Sequence, residues 1–404
     1  MTIAVIGAGA AGMTAALSAS RRGAKVVLLE QHPRAGRKLL ATGNGRCNLM
    51  NASDPAGRYF GGGADAAVGL LRRYTYERLR DHWESLGLIC REERDGRVYP
   101  ASGRAASVVD VLRSRVSGAG VELTTGRAVT DILREPGGFA VRFDGGEVRA
   151  DRVVIATGGK AAVNDGDATG YALLGRLGVP VTELSPALAP IRVEPSDIRG
   201  LKGVRVRAAL TLARGGKEIA SEMGEILFSD GYVSGIAAMG LARHVTRGDG
   251  RAVGDDRPRE LRVDLMPERS ADEWRRWFES RVYASGESAQ DVLRGLVHPG
   301  IARRLLAAVH ADATSAAIDA PWGGIGRMLR DWRLRVTGVG GFRDAQATAG
   351  GAGLEAFDGE TLECKAVPGL FAAGETLDID GACGGFNLMW AWASGIAAGE
   401  AAAR

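Results

Sequence analysis

The stretch TIAVIGAGAAGMTAALSASRRGAKVVLLEQ, residues 2–31, decides the fold of this 404-residue chain. It opens with a short apolar, β-branched run over 2–6, which is typical of a buried parallel strand. The glycine motif GAGAAG (7–12) follows, then an alanine-rich helix and a second apolar strand that ends in Glu30. Strand, glycine turn, helix, strand and acid at this spacing predict the nucleotide-binding unit of a Rossmann fold.

Each glycine of the turn has a physical role at this spacing. Gly7 makes the tight turn, Gly9 lets the backbone approach a pyrophosphate, and Gly12 lets helix and strand pack closely. The positive end of the helix dipole faces the anion, and the Glu30 carboxylate is placed to accept hydrogen bonds from ribose hydroxyls. A glycine-rich turn without a ligand is the alternative, and the surrounding pattern disfavours it.

A second glycine-rich region, GETLDIDGACGGFNL over 374–388, lies near the other end. We expect its backbone to close over a long cofactor whose far end must also be gripped, so the two motifs together indicate FAD rather than NAD alone. The final helix is predicted from about Leu388, with its first N–H groups facing the flavin N1 and O2 edge. Trp390 and Trp392 lie two apart in this helix, so we expect one in the core and the other toward the inserted segment.

Composition sets further bounds. The length exceeds the size at which one core keeps growing, so two domains are expected. The net charge of +4 comes without a long Lys/Arg block, and no run of about 20 apolar residues is present, so we expect neither a nucleic-acid partner nor a membrane span. The cysteines lack metal or dithiol spacing, which predicts no metal site and a cytoplasmic protein. They are Cys47, Cys90, Cys364 and Cys383. The oligomeric state is left open.

An α/β pattern is interrupted along the chain by a different one. We expect an FAD-binding domain in two parts, 1–190 and 334–404, with an inserted substrate domain over 191–333. In the first part the predicted elements are helices over 10–22, 74–86 and 105–116, a loop over 34–48, and strands over 25–29, 121–123, 128–133, 139–143 and 151–157. In the remainder they are strands over 204–212, 218–222, 225–228, 334–339 and 369–373, with a mostly helical segment over 271–333.

The loop after Glu30 combines glycines with a cation. Gly43, Asn44, Gly45 and Arg46 offer consecutive backbone N–H groups and a guanidinium, which suit ribose, pyrophosphate or a flavin edge. A solvated basic loop is the alternative reading of the composition.

Several strings, in order, give the chain a more specific likeness. It resembles the BaiN/YhiN-like family of NAD(P)/FAD-dependent oxidoreductases, which are flavoproteins. The strings are GRKLLATGNGRCNL, GRVYPASGRAASVVDVL, ATGGK, AQATAGG and VPGLFAAGETLDIDGACGGFNLMWAWASG. The likeness runs from Ile3 to Gly399 and is weakest in the inserted segment, where GEILFSDGYVSG still matches.

The resemblance implies an α/β fold, a glutathione-reductase-like Rossmann FAD-binding domain interrupted by a β-rich insert domain with a helical portion. It also implies a cofactor site by motif match. Toward the adenosine and pyrophosphate we expect Gly7, Gly9, Ala10, Ala11, Gly12, Glu30, Arg37, Lys38, Leu39, Val129, Thr157 and Gly158. Toward the ribityl chain and the pyrimidine of the flavin we expect Gly374, Glu375, Asp380, Gly385, Phe386, Asn387 and Leu388. The loop residues Gly43, Asn44, Gly45 and Arg46 are also expected to bind the cofactor. The segment 160–165 departs from the family pattern, so no contact is predicted from it.

The expected chemistry belongs to the flavin, whose N5 accepts or gives a hydride, so no protein nucleophile is required. No catalytic residue is assigned, and the candidates for shaping the substrate pocket are Arg46, Tyr99 and Arg104. Cys47 is expected to be a packed thiol rather than a redox centre. The five histidines lie outside the motifs and are predicted to be surface or packing residues. They are His32, His82, His244, His298 and His310.

Three functions are compatible with these motifs. The leading one is an FAD-dependent oxidoreductase that transfers hydride between flavin N5 and a small organic substrate, unsaturated or cyclic, as the resemblance suggests. An NAD-dependent dehydrogenase without flavin would leave the second motif unused, and a flavin-binding redox-sensing or RNA-modification module is the third. The chain carries one dinucleotide fingerprint, so NAD(P)H is expected to dock transiently as electron donor or to be replaced by another reductant. We expect the inserted domain to cover the flavin and set substrate choice.

Overall fold

The computed structural model describes residues 1–162, 169–246, 258–285, 287–314, 316–317 and 320–404. They form two compact units. The first unit comprises Met1–Ser185 with Gln346–Arg404, and the second comprises Pro186–Ala345. The observed junctions follow residues 185 and 345, whereas the sequence placed them after 190 and 333. Residues 163–165, part of the segment that departs from the family pattern, lie outside the described residues.

A five-stranded parallel sheet forms the centre of the first unit. Its strands, in spatial order, are Leu370–Ala372, Arg152–Ile155, Thr2–Ile6, Lys25–Glu30 and Glu122–Thr125. In the middle strand Ile3 lies opposite both Arg152 and Val26. Four of its five residues are buried, as a central parallel strand requires. The predicted parallel nucleotide-binding sheet is confirmed.

The first and last helices of this unit pack together through small residues. Ala10–Arg21 and Phe386–Ala402 approach so closely that a Cβ on Gly399 would lie 2.2 Å from the carbonyl oxygen of Ala15. The alanine- and glycine-rich composition of both helices permits this approach. The contact between these two helices brings residues from both ends of the chain into one hydrophobic core.

A three-stranded antiparallel sheet completes the first unit, with Gly138–Phe143 between Val129–Glu135 and Gly146–Ala150. Asp144 and Gly145 make its hairpin turn, and Gly145 has a φ of +87° that suits glycine. Short strands lie at Met50–Asn51, Tyr59–Phe60, Cys90–Glu92, Arg97–Pro100, Ser185–Ala187, Ala347–Ala349 and Asp380–Gly381.

The described helices of the first unit are Ala10–Arg21, Arg37–Ala41, Ala64–Arg73, Tyr76–Ser85, Ala105–Gly118, Thr169–Arg176 and Phe386–Ala402. They differ from the sequence predictions in three places. The segment 34–48, read as a loop, contains the helix Arg37–Ala41 and a 3-10 turn at Thr42–Gly45. The helices Ala64–Arg73 and Thr169–Arg176 were not predicted, although the buried residues of each recur at helical spacing.

The second unit contains a closed antiparallel barrel, which confirms the β-rich insert. In barrel order the strands are Ile191–Val193, Tyr232–Ser234, Lys217–Ser229, Arg205–Arg214, Arg259–Asp264 and Trp332–Val339. The helices are Ile236–Thr246, Ala271–Ser285, Ala289–Arg294, Pro299–Ala308 and Trp322–Arg330. Across the described parts of the chain, no helix has the length and apolar character that crossing a membrane would need.

Two strand predictions in this unit were wrong. The run at 334–339 was expected to resume the parallel α/β pattern, but Trp332–Val339 pairs antiparallel with two barrel strands. The segments 218–222 and 225–228 belong to one strand, Lys217–Ser229, because Gly224 stays in the ladder opposite Ala208. Gly224, which lies between the two predicted segments, is therefore a strand residue.

Candidate functional site

The glycine turn of the first unit lines a cleft of about 830 Å³, part of it open to solvent. Eight residues predicted to bind the adenosine and pyrophosphate line this cleft. They are Gly7, Gly9, Glu30, Arg37, Lys38, Val129, Thr157 and Gly158. Four others predicted with them are not among the lining residues, and all four belong to helices that begin beside the cleft. They are Ala10, Ala11, Gly12 and Leu39.

The three glycines of the turn differ in what surrounds them. Gly7 has a φ of +97°, and a Cβ there would lie 2.6 Å from the carbonyl oxygen of Ala156. A Cβ on Gly12 would lie 1.8 Å from the carbonyl oxygen of Gly7, so this position admits only hydrogen. A Cβ on Gly9 would meet no atom within 4 Å. Gly7 and Gly12 thus shape the turn, and Gly9 faces open space.

The acid at the end of the second strand braces the turn. One Glu30 oxygen accepts a hydrogen bond from the Ala8 N–H at 2.8 Å, and the other accepts from the His32 N–H at 2.9 Å. Glu30 is 8% exposed, and a carboxylate has about four acceptor sites, so two protein donors leave capacity for ribose hydroxyls. Sequence reasoning predicted the ribose contact and missed the two backbone contacts.

His32 also lines the cleft, which the sequence did not predict, and its expected role as a surface or packing residue rather than a base stays a prediction. A guanidinium nitrogen of Arg37 lies 3.2 and 3.3 Å from its two ring nitrogens. Arg127, which the sequence reading also missed, lines the same cleft. The position of His32 could have been predicted because it lies two residues after Glu30, which ends the second strand. Residues that follow parallel strands meet at one edge of the sheet, where ligands bind.

A carboxylate from the second motif lies behind the cleft wall. Glu375 forms an ion pair with Lys38 at 2.7 Å and accepts backbone hydrogen bonds from Gly159 and Thr348. Lys38 and Gly159 line the cleft, whereas Glu375 is not among the lining residues. The structure therefore joins the segment after Glu30 to the second motif through Lys38.

The glycines of the second motif face the protein's own chain. Gly385 has a φ of +105°, and a Cβ there would lie 2.5 Å from the carbonyl oxygen of Met50. The Asn51 side chain donates to the carbonyl oxygen of Gly384 at 2.9 Å. Gly385 begins the last helix, and no side chain caps it.

Asn387 and its neighbours stabilise the same turn. The Asn387 amide accepts from the Gly381 N–H at 2.9 Å and donates to the Gly381 carbonyl at 2.8 Å. The Tyr59 hydroxyl donates to the carbonyl oxygen of Phe386 at 2.8 Å. Asp380 is buried, and Leu388 lies in the first turn of the last helix. None of the second-motif residues lines the cleft, so their predicted flavin contacts stay predictions.

The two tryptophans of the last helix both lie in the core of the first unit, so placing one toward the inserted segment was wrong. The Trp390 ring N–H donates to the Gly374 carbonyl at 3.0 Å. The Trp392 ring N–H donates to the Leu49 carbonyl at 2.8 Å, and its ring packs edge to face against Trp83. The last helix is buried on nearly all sides, which spacing alone did not reveal.

The loop after the first motif has left-handed backbone at several residues. Gly43, Asn44, Gly45 and Cys47 have φ values of +56°, +55°, +81° and +59°. Such backbone is uncommon outside glycine and often accompanies functional sites. The Asn48 side-chain oxygen is buried and finds no hydrogen-bond partner among the described residues. A Cβ on Gly385 would lie 2.8 Å from that oxygen, so the loop reaches the second motif.

Arg46 and Tyr99 lie together, and Glu93 joins them. The Arg46 guanidinium lies 4.1 Å from the centre of the Tyr99 ring and forms a 2.5 Å ion pair with Glu93. This hydrogen bond raises the pKa of Arg46 and lowers that of Glu93. Arg104 is exposed at the start of the helix Ala105–Gly118, and its backbone N–H donates to the Ser102 hydroxyl at 3.3 Å.

Cys47 is fully buried, and burial raises the pKa of its thiol to about 11. A thiol with this pKa stays protonated near neutrality and is a poor nucleophile, which supports the packed thiol over the redox centre. No group of three or more His, Cys, Asp or Glu side chains within the described residues could hold a metal ion.

The cleft fits the ADP half of FAD. The space in front of Gly9 is open, and the helix Ala10–Arg21 begins there without a side-chain cap, so its first N–H groups are available to a pyrophosphate. At the other motif, the buried acceptor of Asn48 lies beside Gly385, where a ligand donor would satisfy it. Fold and site together define a Rossmann-type flavoprotein oxidoreductase.

Residues 1–401 match the family model described as "HI0933-like protein Rossmann domain". The chain belongs to this HI0933-like family of flavoproteins, and it is an FAD-dependent oxidoreductase. The resemblance seen in the sequence is confirmed.

Two curated relatives span nearly the whole chain. It is 35% identical to the 3-dehydro-bile acid delta(4,6)-reductase of Clostridium scindens, over 99% of this chain and 98% of the relative. It is 26% identical to the ribosomal RNA dihydrouridine synthase of Escherichia coli, over 98% of this chain and 96% of the relative. The second relative modifies RNA, so the absence of a nucleic-acid partner stays an expectation.

Solved structures resemble the chain in fold. The 3-ketosteroid-delta4-(5alpha)-dehydrogenase from Rhodococcus jostii RHA1 matches with a TM-score of 0.53 and 16% identity, over 100% of this chain and 96% of that chain. The open conformation of a flavocytochrome c3 fumarate reductase matches with a TM-score of 0.51 and 18% identity, over 100% and 78%. At these identities the likeness extends to the fold alone.

Proposed function

We propose that this chain is an FAD-dependent reductase that moves hydride between flavin N5 and a carbon–carbon double bond of a small cyclic substrate. The observation that carries the proposal is the full-length likeness to the bile acid reductase, at 35% identity over 99% of this chain. This likeness runs over both units, so it includes the residues proposed to hold the cofactor and the insert proposed to set substrate choice.

The chemistry of that relative's substrate suggests a class. Its name describes a 3-oxo compound with double bonds at positions 4 and 6, which lie in conjugation with the ketone. Hydride addition to such a double bond places negative charge on the ketone oxygen. A reductase for it therefore benefits from a hydrogen-bond donor or cation at that oxygen. We propose an α,β-unsaturated carbonyl compound as the substrate class.

The cofactor role falls to the residues of the cleft. Gly9 and the first turn of Ala10–Arg21 would hold the pyrophosphate, and Glu30 would accept hydrogen bonds from the adenosine ribose. Bound FAD would supply hydride exchange at N5. NAD(P)H is proposed as a transient donor, because the chain carries one dinucleotide fingerprint, which FAD would occupy.

Arg46 is the candidate that would stabilise charge on the substrate oxygen. Its side chain is 40% exposed, so a substrate can reach it, while Tyr99 and Glu93 fix its direction. A guanidinium already held by its neighbours loses little freedom when it binds an oxygen. Arg104 is exposed, and among the described residues its guanidinium has no ion pair or ring contact like those of Arg46, so it is the weaker candidate.

An anaerobic titration tests the proposal. The purified protein should release non-covalent FAD on denaturation, and NADH or NADPH should bleach the flavin absorbance. A 3-oxo-4-ene steroid added next should restore the absorbance with one equivalent of reduced product. Protein without FAD, or reduced flavin that no enone reoxidises, would refute it. Arg46→Ala should slow the reoxidation by at least about tenfold, whereas Arg149→Ala, at a side chain 79% exposed on the antiparallel sheet, should not.

A second candidate is reduction of uracil in ribosomal RNA. The 26% identity to a ribosomal RNA dihydrouridine synthase over 98% of this chain favours it, and uracil also contains a double bond conjugated with a carbonyl. The net charge of +4 is compatible with RNA and does not select it. Incubation of the reduced protein with unmodified ribosomal RNA, followed by nucleoside mass spectrometry, separates the candidates. Dihydrouridine formation without enone turnover would select the RNA substrate.

A further inference from the structure

The second unit contains a cavity of about 680 Å³, part of it open to solvent, whose lining includes no residue of the two glycine motifs. Its position follows from the pairing of the barrel strands. The strand Arg205–Arg214 pairs with Arg259–Asp264 from Ala209 onward. Val206 and Arg207 therefore lie beyond the end of that neighbouring strand, and both line the cavity. The volume falls within the range of small-molecule sites.

Much of the cavity surface is apolar. Leu265 is 8% exposed and Ile301 is fully buried, and both line the cavity. The half-buried side chains of Val206, Leu296 and Val297 complete this surface. Small-molecule sites are lined mainly by such side chains, with a few polar groups that fix the orientation of the ligand. The apolar part of a ligand can therefore be removed from water here.

The polar side chains of the cavity are two guanidiniums and an imidazole. Among the described residues that line it, Arg207, Arg294 and His298 carry them, and none of those lining residues is acidic. Arg207 comes from a barrel strand, and Arg294 ends the helix Ala289–Arg294. Each guanidinium has five N–H donors in a planar fork that matches a carboxylate or a phosphate group. The charge of the cavity therefore favours an anion.

Both arginines have carboxylate neighbours that do not line the cavity. The Arg207 Nε lies 3.4 Å from a Glu268 oxygen, and an Arg294 Nη lies 2.8 Å from an Asp291 oxygen. The two arginine side chains are 62% and 68% exposed, so solvent weakens both ion pairs. Each pair engages one nitrogen of a guanidinium, which leaves N–H donors for a ligand oxygen.

His298 adds a third donor. Its Nδ1 accepts a hydrogen bond from the Gly300 N–H at 3.0 Å and caps the helix Pro299–Ala308. A ring nitrogen that accepts carries no proton, so the proton of the neutral imidazole lies on Nε2. The Nε2–H group is therefore the donor that this ring offers a ligand. The helix dipole favours an anion at the same end, where Ile301 also lines the cavity.

We propose that this cavity binds an amphipathic organic anion, with a carboxylate or phosphate group on Arg207 and Arg294 and an apolar part against Leu265 and Ile301. Two independent features of the cavity carry the proposal. An apolar ligand makes no use of two guanidiniums, and a small inorganic ion makes no use of the apolar surface. The site lies in the second unit and does not rest on the FAD site of the proposed function, so the failure of one leaves the other standing.

Calorimetric titration of the full chain, as purified, with sodium octanoate tests the proposal. Octanoate should bind, and 1-octanol, the neutral probe of the same length, should bind at least about tenfold more weakly. Arg207→Met and Arg294→Met should each weaken octanoate binding at least about tenfold, as for loss of a charged hydrogen bond. His298→Asn keeps an acceptor for the helix cap and removes the ring donor, so it should weaken binding about threefold.

Octyl phosphate and inorganic phosphate define the head group and the need for an apolar part. Tighter binding of octyl phosphate than of octanoate assigns the site to phosphate esters, and the reverse order assigns it to carboxylates. Inorganic phosphate should bind more weakly than octyl phosphate, because it leaves the apolar surface uncovered. Equal binding of the two phosphates would overturn the amphipathic ligand.

Two arginines outside the cavity give matched controls. Arg205 precedes Arg207 by two residues on the same strand, is equally exposed at 62% and also has a carboxylate partner. Arg275, like Arg294, pairs with an aspartate three residues earlier on its helix, and the two arginines are 69% and 68% exposed. Arg205→Met and Arg275→Met should leave octanoate affinity unchanged.

Three results would overturn the proposal. They are no binding of octanoate or octyl phosphate, binding of 1-octanol as tight as that of octanoate, and octanoate affinity that is unchanged in both Arg207→Met and Arg294→Met. Arg46→Ala identifies octanoate bound at the proposed substrate pocket instead, since it alone would then lose affinity. Because both cavity arginines are exposed, their variants should fold, and the thermal unfolding midpoint of each variant checks this.

Discussion

The two glycine motifs of the first unit look alike in sequence and differ in what their glycines adjoin. At the first motif, a Cβ on Gly9 would meet nothing within 4 Å, so the backbone there faces open space. At the second motif, a Cβ on Gly385 would lie 2.5 Å from the Met50 carbonyl oxygen. The first motif keeps room for a ligand, and the second uses glycine to let the chain approach itself. Glycine content alone therefore does not identify a ligand contact.

The comparison also holds within the first motif, where Gly12 resembles Gly385 rather than Gly9. Gly12→Val should have the largest effect of all, because its Cβ would lie 1.8 Å from the Gly7 carbonyl oxygen. We expect loss of the folded state, equivalent to more than about 4 kcal/mol. Circular dichroism and thermal unfolding of the FAD-free protein measure it.

Gly9→Ala is the matched control. Gly9 has a φ of −84°, which any residue adopts, so the variant should unfold within about 1 kcal/mol of wild type and yet bind FAD at least about tenfold more weakly. A stable Gly12→Val protein, or a Gly9→Ala protein with normal FAD affinity, would contradict the distinction between the two glycines.

Gly385→Ala should have the second largest effect. It should lower the stability of the FAD-free protein and not only its affinity for FAD. The left-handed backbone costs a non-glycine residue about 1–2 kcal/mol, and the Met50 contact adds to it. The FAD-free variant should therefore unfold at lower denaturant concentration than wild type. If the variant keeps wild-type stability and loses only FAD, Gly385 is needed for the ligand. The two motifs would then use glycine in the same way, contrary to the difference drawn above.

Sequence reasoning was most accurate where the information is local. The first strand, the glycine turn, the first helix and Glu30 are consecutive, and their spacing is that of one compact unit. Pattern and turn chemistry sufficed there because each residue's partners are close in the chain. The exception was Glu30's bond to the Ala8 N–H, which spans the strand and helix between them.

Long-range pairing was the common cause of the errors. The alternating run Trp332–Val339 is a correct strand, but nothing in it specifies that its partners are the antiparallel strands Arg259–Asp264 and Ile191–Val193. Trp392 likewise meets Trp83, more than 300 positions away. The candidate site shows the same limit, since Lys38 and Glu375 were both named without their contact being foreseen.

Glu30→Ala should weaken FAD binding about tenfold to a hundredfold, the next effect in size, because charge-assisted hydrogen bonds to the ribose are lost. The structure adds a second consequence, since the Ala8 and His32 N–H groups also lose their acceptor. FAD-free stability should therefore fall by about 1–2 kcal/mol. Calorimetric titration with FAD and denaturant unfolding separate the two losses. Unchanged FAD affinity would remove Glu30 from the cofactor site.

Asn387→Leu should cost about 1–3 kcal/mol in stability, because the Gly381 N–H and carbonyl lose both partners at once. The sequence predicts a flavin contact at Asn387, and if that contact exists its loss should also lower the flavin midpoint potential. The two readings differ in the FAD-free protein, where only the structural role predicts a lower unfolding midpoint. Asn387→Asp, which keeps the acceptor for the Gly381 N–H, should recover part of the stability.

Substitution of Cys47 should have the smallest effect. It tests whether the thiol in the loop beside Gly385 is a packed side chain or a reactive one. Burial raises the pKa of its thiol from 9.0 to about 11. The unfolded thiol therefore loses its proton first as pH rises, and the folded state keeps it. The free energy of unfolding should be unaffected well below pH 9 and should fall as pH rises toward 11, by about 1.4 kcal/mol at pH 10. Cys47→Ala should lack that part of the loss of stability at alkaline pH.

At pH 8 the Cys47 thiol of the folded protein should resist alkylation by iodoacetamide, and mapping of the labelled peptides measures this. Rapid labelling of Cys47 in the folded state would mean a low-pKa, accessible thiol, and the loop would then be part of the chemistry rather than of the packing.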